Sequence, residues 1–279
     1  MEKINVREVF KQKNPKVAKL IPGFIYRYIE RIVHQKEVNE IREKINHLQG
    51  LDYAEGIIDH FDINIQIKGE EFIPTEGRNI FVANHPLGGF DGIVFAHVVG
   101  KKNPNLKFLV NDILMNLKNF ESIFIPVNKH GRQSMQYVRK IEEAYKSDQQ
   151  VLNFPAGLCS RKVKGQIIDL QWRKSFISKA VEHKRDIVPV HISGRNSNFF
   201  YNLSNFRTKL GIKTNLEMFY LVDEAFKQKN KNITVTFGKP ISYSVFDKSK
   251  NAKDWARKVQ KYIYTLPKDN TIPFNLINS

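Results

Sequence analysis

The sequence predicts an α/β fold: a mixed, largely covered sheet with helices on both faces, preceded by an N-terminal helical extension. From about residue 61 onward, short runs rich in β-branched and aromatic residues alternate with helix-length amphipathic segments. This alternation is typical of an α/β fold, and nearly continuous apolar runs indicate strands that are covered on both faces. The first 60 residues lack such runs and predict helices.

The N-terminal extension is predicted over residues 1–60. Residues 17–33 place apolar side chains at helical intervals with basic residues between them, and Pro22 with Gly23 should divide this element in two. A second amphipathic run spans 36–48, and a break is expected at 51–56. A basic amphipathic helix either packs on the domain or lies on an anionic membrane, and both interpretations remain open.

Seven strands and several helices are predicted after this extension. A helix is indicated directly after the second strand, over residues that include 93–99. The predicted strands span residues 63–67, 80–83, 106–110, 122–127, 151–154, 187–192 and 233–237. The other predicted helices span residues 133–144, 174–182, 216–227 and 252–263.

The composition restricts the class of protein. The chain of 279 residues is 41% hydrophobic, enough for one large domain with an added element. Its formal charge of +17 favours an anionic partner: nucleic acid, anionic lipid or an acidic carrier protein. The single cysteine, Cys159, excludes a disulfide framework and indicates a reducing cytoplasm. With no secretory signal and no run of about 20 apolar residues, the chain is not expected to cross a membrane.

The most informative motif runs from Asn84 to the residue after Asp91, between the predicted strand 80–83 and the helix that follows. His85 and Asp91 are six positions apart, which would put them on different faces of a regular helix. Only a chain that folds back brings them together. Gly88 and Gly89 can supply that turn, because glycine adopts positive φ without steric cost.

A histidine beside a carboxylate is suited to general-base catalysis. The imidazole can take a proton from a hydroxyl group, while the carboxylate on its other nitrogen fixes the tautomer and stabilises the imidazolium. A simpler interpretation is that Asp91 caps the following helix and His85 binds a backbone carbonyl, since aspartate is a favoured N-cap residue. The pair alone does not decide between these two.

Three later strands also run into polar, cation-rich loops. In α/β sheets, ligands bind at the loops that follow the carboxyl ends of the strands. These loops therefore predict a cationic rim around His85 that binds a phosphate, a carboxylate or a phosphopantetheine arm. For catalysis, a weaker alternative to the His85 base is that Cys159 acts as a nucleophile. His60, His97, His130 and His191 lack ligand spacing, so no metal is predicted. The polar residues of the three cation-rich loops, in chain order, are Asn128, Lys129, His130 and Arg132; Ser160, Arg161, Lys162 and Lys164; His191, Ser193 and Arg195.

The order and spacing of NHPLGGFD, IFIPVN, FPAGLCSR and IVPV resemble the four blocks of the glycerolipid acyltransferase superfamily, over roughly residues 69–241. The resemblance implies that residues 61–279 form an acyltransferase domain, which moves a fatty acyl group from an acyl-carrier-protein or coenzyme A thioester to a lipid hydroxyl without a metal or cofactor. It implies His85 as general base and Asp91 as its partner. The substrate-binding residues expected from the blocks are Asn84, Gly88, Gly89, Asn128, Arg132, Pro155, Gly157, Ser160, Arg161 and Lys164.

The departures from the family pattern concern the acceptor. Five residues separate His85 from Asp91 where the family has four, and Asn128 stands near the usual arginine of the second block, with Arg132 the nearest replacement. In the third block the usual glutamate and arginine are Ala156 and Cys159. This pattern resembles the bacterial hemolysin-like subgroup that O-acylates lyso-ornithine or lyso-glycine lipids, whose acceptors carry a carboxylate.

Two other functions remain open from the sequence. Arg161 and Lys164 would allow a 1-acylglycerol-3-phosphate acyltransferase of phospholipid synthesis. A basic module that binds membrane or nucleic acid without chemistry is weaker, and no nucleic-acid partner is expected because no recognised motif is present. The expected partners are the acyl donor, a lyso-lipid and an anionic membrane surface, with the protein peripheral on the cytoplasmic face of the inner membrane.

Overall fold

The structure, a computed structural model, describes residues 3–13, 15–111, 114–115, 117–127 and 135–277. Within these ranges the helices are α1 (Val6–Lys13), α2 (Pro15–Leu20), α3 (Gly23–Ile32), α4 (Gln35–Ile45), α5 (Gly50–His60), α6 (Phe90–Lys102), α7 (Met135–Lys146), α8 (Ser175–His183), α9 (Asn198–Lys209), α10 (Leu221–Phe226) and α11 (Ala252–Ile263). The strands are β1 (Asn64–Lys68), β2 (Asn79–Ala83), β3 (Leu106–Asn111), β4 (Phe124–Val127), β5 (Gln150–Asn153), β6 (Arg161–Val163), β7 (Gln166–Ile168), β8 (Asp186–Ile192) and β9 (Asn232–Phe237).

Seven of these strands form one mixed sheet in the order β1-β9-β8-β2-β5-β3-β4. Every pair of neighbours is parallel except β8 and β9. At the centre, Val82 of β2 is in register with Asn153 of β5 and Pro189 of β8. The carboxyl ends of these strands therefore lie at one edge of the sheet and deliver their loops to the same place.

Helices cover both faces of the sheet. Phe81 of β2 faces a core shared with α5 and α6, whereas Ile80 faces a second core shared with α8 and α11. Since side chains alternate along a strand, a strand between two cores is apolar at every position, and all of β2 is buried. The predicted mixed, covered sheet is confirmed.

Each of the seven predicted strands has a counterpart whose ends differ by no more than two residues. The break expected at 51–56 is wrong, because these residues lie inside α5. A Cβ at Gly56 would lie 2.9 Å from Leu48 Cδ1, so this glycine permits close packing of the chain instead of ending a helix. Sequence reasoning also missed α9 and the β6–β7 hairpin, in which Lys164 and the glycine after it adopt positive φ.

The N-terminal helices divide where predicted, since Pro22 is the residue before α3. α5 packs so closely on α6 that a Cβ at Gly100 would lie 2.6 Å from Leu51. The boundary at residue 60 stays a prediction, although Tyr53 and Ile58 of α5 belong to the same core as the sheet. In the described part of the chain, none of the helices has the length and apolarity to cross a bilayer.

Candidate active site

The loop between β2 and α6 carries the His–Asp motif. It turns at Gly88 (φ 72°) and Gly89 (φ 152°), and Asp91 lies in the first turn of α6. A Cβ at Gly88 would lie 2.7 Å from Leu221 Cδ2 and 3.1 Å from Cys159 Sγ. Glycine is therefore needed at position 88 both for its conformation and for its close neighbours.

The chain folds back so that Nδ1 of His85 lies 2.9 Å from Oδ2 of Asp91. The Asp91 side chain is fully buried and also accepts backbone N–H groups of Leu87 (2.8 Å), Gly88 (3.3 Å), Gly89 (3.0 Å) and the residue after Asp91 (3.0 Å). Burial alone would raise the pKa of Asp91, but the His85 imidazole and these donors outweigh it and hold the pKa below its usual value. One ionised carboxylate thus both orders the loop and binds the histidine.

The His85 ring stacks on Phe154, with ring centroids 4.1 Å apart and planes 16° apart. Because an ionised carboxylate only accepts, Nδ1 of His85 must carry a proton, and Nε2 of the neutral ring then presents its lone pair. Nε2 has no hydrogen-bond partner among the described residues. The ring is therefore fixed on one side and available on the other.

A second carboxylate holds the backbone of His85. The His85 N–H lies 3.2 Å from both oxygens of buried Asp169, and the His85 carbonyl accepts the Ser160 N–H at 2.7 Å. Asp169 also accepts the Ser160 hydroxyl (2.6 Å) and the Trp172 indole N–H (2.9 Å). Burial raises the pKa of Asp169 and outweighs these donors. Sequence reasoning missed Asp169, and the Trp172 three residues later was its only local signal.

Asn84 joins the ends of two strands. Its amide donates to the Ile192 carbonyl at 2.9 Å and accepts the Ile192 N–H at 2.7 Å. The Asn84 side chain is buried, and these two bonds use its carbonyl oxygen and one of its N–H donors. They fasten the end of β2 to the end of β8. These bonds give Asn84 a structural role, and its binding of substrate stays a prediction.

The third block forms the loop after β5. Gly157 (φ 66°) closes a turn by donating its N–H to the Phe154 carbonyl at 2.9 Å, and Pro155 accepts the Arg173 N–H at 3.1 Å. Pro155 and Gly157 therefore shape the segment that supports the His85 ring.

Arg161 is buried and does not form the predicted cationic rim. Its guanidinium lies 2.8 Å from the buried carboxylate of Glu217 and donates to the Cys159 carbonyl at 2.7 Å. Glu217 also pairs with Arg207 at 2.5 Å. The ion pair with Glu217 already uses the charge of Arg161, and a role of Arg161 in binding substrate stays a prediction.

The remaining predicted residues are placed as follows. Lys164 lies exposed in the β6–β7 turn. Asn128 and Arg132 lie outside the described residues. Burial raises the pKa of Cys159 to about 11, which does not favour it as a nucleophile.

One cluster of possible metal ligands occurs in the described chain, between α7 and α8. It consists of Glu142, Glu182 and His183. Lys179 donates to Glu142 and, at 2.9 Å, to Glu182, so a cation of the protein already neutralises these carboxylates. The absence of a metal from the reaction stays a prediction.

Comparison with known proteins identifies the family of the chain. The sequence matches the family described as Acyltransferase over residues 8–271. The chain belongs to this acyltransferase family. It is 46% identical over 264 residues to the lyso-glycine lipid O-acyltransferase of Bacteroides thetaiotaomicron, covering 94% of this chain and 97% of that protein. It is 44% identical over 264 residues to the lyso-glycine lipid O-acyltransferase of Phocaeicola vulgatus, covering 94% and 95%.

Among solved structures, the chain is similar to the 1-acyl-sn-glycerophosphate acyltransferase PlsC from Thermotoga maritima, with a TM-score of 0.49 and 15% identity over 79% of this chain and 82% of that one. The resemblance to the superfamily and to its lyso-aminolipid subgroup is confirmed by the family match and the two curated relatives. The protein is an enzyme that transfers acyl groups.

The packing around Gly88 generates a test. We expect Gly88→Ala to lower the melting temperature and the rate of acyl transfer strongly, because the new methyl group meets Leu221 and Cys159 at a positive φ. Gly165→Ala is the matched control, since Gly165 also has positive φ but open space around it. The measurements are the melting temperature and the acyl-transfer rate of both variants. Equal losses in Gly88→Ala and Gly165→Ala would contradict the role of close packing at position 88.

Proposed function

We propose that this acyltransferase O-acylates a lyso-lipid of the N-acyl amino acid class, of which lyso-glycine lipid is the first candidate, with His85 as the general base. The observation that carries the proposal is the 2.9 Å contact between His85 Nδ1 and the ionised, buried Asp91. This contact supports His85 as the general base, because it leaves the lone pair of Nε2 free on the side of the ring away from the carboxylate.

In the proposed reaction, Nε2 of His85 takes the proton of the acceptor hydroxyl as its oxygen attacks the thioester carbonyl carbon. The carbon–sulfur bond breaks, and the imidazolium returns the proton to the leaving thiolate, so an ester and a free thiol result. Asp91 orients the ring and stabilises the imidazolium. Its contacts already use the N–H groups of Leu87, Gly88 and Gly89, so other donors must stabilise the oxyanion.

The acceptor is inferred from the relatives and from the third block. Both curated relatives are named lyso-glycine lipid O-acyltransferases. Ala156 and Cys159 stand where the family has charged residues, and Arg161 is paired with Glu217. This arrangement supports an acceptor without a phosphate monoester and disfavours the alternative of a 1-acylglycerol-3-phosphate acyltransferase.

The donor is inferred from a basic groove. Lys253, Arg257 and Lys261 recur every four residues on the exposed face of α11 and line a groove of about 570 Å³. Asp169 and Tyr264 line the same groove, and Asp169 holds the His85 backbone. The groove supports an anionic thioester donor, either an acidic acyl carrier protein or coenzyme A, as the co-substrate, and no resident cofactor is proposed.

We expect His85→Ala and Asp91→Asn to lower kcat by about 1000-fold or more, because each removes a part of the base. His47→Ala, an exposed histidine after α4, is the control and should retain activity. Circular dichroism would confirm that each variant folds. A His85→Ala enzyme that keeps a tenth of the wild-type rate would contradict the role of His85.

An acceptor panel tests the substrate class. With one acyl donor, we expect conversion of N-acyl glycine bearing a 3-hydroxyacyl chain, with lysophosphatidic acid at least about tenfold poorer in kcat/KM. Mass spectrometry of the products gives the ranking. Conversion of lysophosphatidic acid alone would contradict the acceptor while leaving the chemistry of His85 intact.

Charge reversal on α11 tests the donor. Exchanging Lys253, Arg257 and Lys261 for glutamate should raise KM for acyl carrier protein by about tenfold or more with little change in kcat. The control reverses Arg139, Lys140 and Lys146 on α7, which changes the net charge equally. A parallel series with acyl-coenzyme A separates the two donors, and unchanged KM for both would contradict the groove as the donor site.

We further propose that the enzyme works as a peripheral protein on the cytoplasmic face of the inner membrane, with α2 and α3 of the N-terminal extension (residues 1–60) against the bilayer. Leu20 is 81% exposed and Phe24 is 63% exposed. The cations Arg27 and Arg31 line a surface cavity together with Phe24. Apolar and basic side chains together suit an anionic membrane surface.

A further inference from the structure

Large exposed apolar side chains concentrate in two segments that are far apart in the sequence. Among the described residues, ten of the nineteen such side chains lie in these segments. The first segment comprises α2 and α3, with Leu20, Phe24, Ile25 and Tyr28. The second, here called the aromatic segment, comprises residues 198–220, and its exposed members are Phe199, Phe206, Leu210, Ile212, Leu216 and Phe219.

The two segments meet. The hydroxyl oxygens of Tyr28 and Tyr220 lie 2.6 Å apart, and the ring of Phe199 contacts that of Tyr220 edge-on at 4.9 Å. Just beyond α3, His34 Nε2 lies 2.9 Å from Asp223. Two exposed side chains, Tyr28 of α3 and Phe199 of the aromatic segment, therefore meet at Tyr220.

The exposure in the aromatic segment is not explained by packing within the chain. α9 already buries one face through Phe200 and Tyr201, yet Phe206 is 61% exposed and Leu210 is 59% exposed. Soluble surfaces rarely expose apolar residues in such a group without a partner. The exposed cation Lys209 lies among them.

The aromatic segment is firmly attached to the active site. Glu217 is fully buried and binds Arg161, which follows the Ser160 that holds the His85 carbonyl. Leu221, directly after the segment, is the neighbour that requires glycine at position 88. The exposed apolar face is thus fixed in position relative to His85.

We propose that the aromatic segment is a second bilayer-docking element, which together with α2 and α3 forms one face that rests on an anionic lipid surface. The aliphatic and aromatic side chains insert among the headgroups, while Arg27, Arg31, Lys209 and Lys213 contact lipid phosphates. The choice of a bilayer as the occupant rests on the proposed function, because the acceptor is a lipid. Docking through this face would hold His85 close to the membrane surface, where the lyso-lipid acceptor lies.

The test is co-sedimentation of the full chain with vesicles of phosphatidylglycerol and phosphatidylethanolamine, compared with phosphatidylcholine vesicles. We expect the double variant Phe206→Ser, Leu210→Ser to lower the partition coefficient on anionic vesicles by about tenfold or more, with weaker wild-type binding to phosphatidylcholine. The matched control, Val181→Ser with Leu276→Ser, removes exposed apolar side chains outside this face and should bind like the wild type.

Activity on short-chain, water-soluble substrates without vesicles separates docking from chemistry. The double variant should retain this activity, so a loss of vesicle binding with full turnover supports the proposal. Vesicle binding equal to that of the wild type would overturn it. A wild-type dimer in sedimentation velocity that the double variant dissociates would also overturn it, since the face would then be an interface between two copies.

Discussion

The buried negative charge of Asp91 is the interaction on which the site depends. Removing a carboxylate from water is costly unless hydrogen bonds replace its hydration. Here four backbone N–H groups and the His85 imidazole do so, and they hold the carboxylate in its ionised form. The Asp91 carboxylate thus determines both the shape of the loop and the tautomer of His85. A change at Asp91 would therefore alter both.

A series of buried polar contacts extends from this ion toward the surface. Asp169 and Ser160 fix the His85 backbone, and the next residue, Arg161, pairs with Glu217. Glu217 belongs to the segment whose other side exposes aromatic rings. A buried charge pair of this kind adds little net stability, but it fixes the geometry between the elements it joins. In this enzyme it joins the loop of the proposed base to the face that we propose docks on lipid.

Much of the fold could be predicted because the buried strands are continuous apolar runs, and the His–Asp motif could be predicted because glycines mark the turn. The strand order depends on pairings between distant residues that local patterns do not encode. α9 was missed because its aromatic residues lie on both faces, with Phe200 buried and Phe206 exposed, so no single apolar stripe appears. Asp169 was missed because it lies 84 residues from His85 in sequence. The burial of Arg161 was not foreseen for the same reason, since its partner, Glu217, lies 56 residues away in sequence.

In this enzyme, Asp91 fixes the proton of His85 on Nδ1 and leaves Nε2 free to accept one. Nitrogen-15 NMR of the imidazole side chains in the enzyme identifies this tautomer, because a ring nitrogen has a different chemical shift when protonated and when unprotonated. For the neutral imidazole, we expect a single His85 tautomer with a protonated Nδ1 and an unprotonated Nε2. A proton on Nε2, or averaged shifts from two exchanging tautomers, would contradict it.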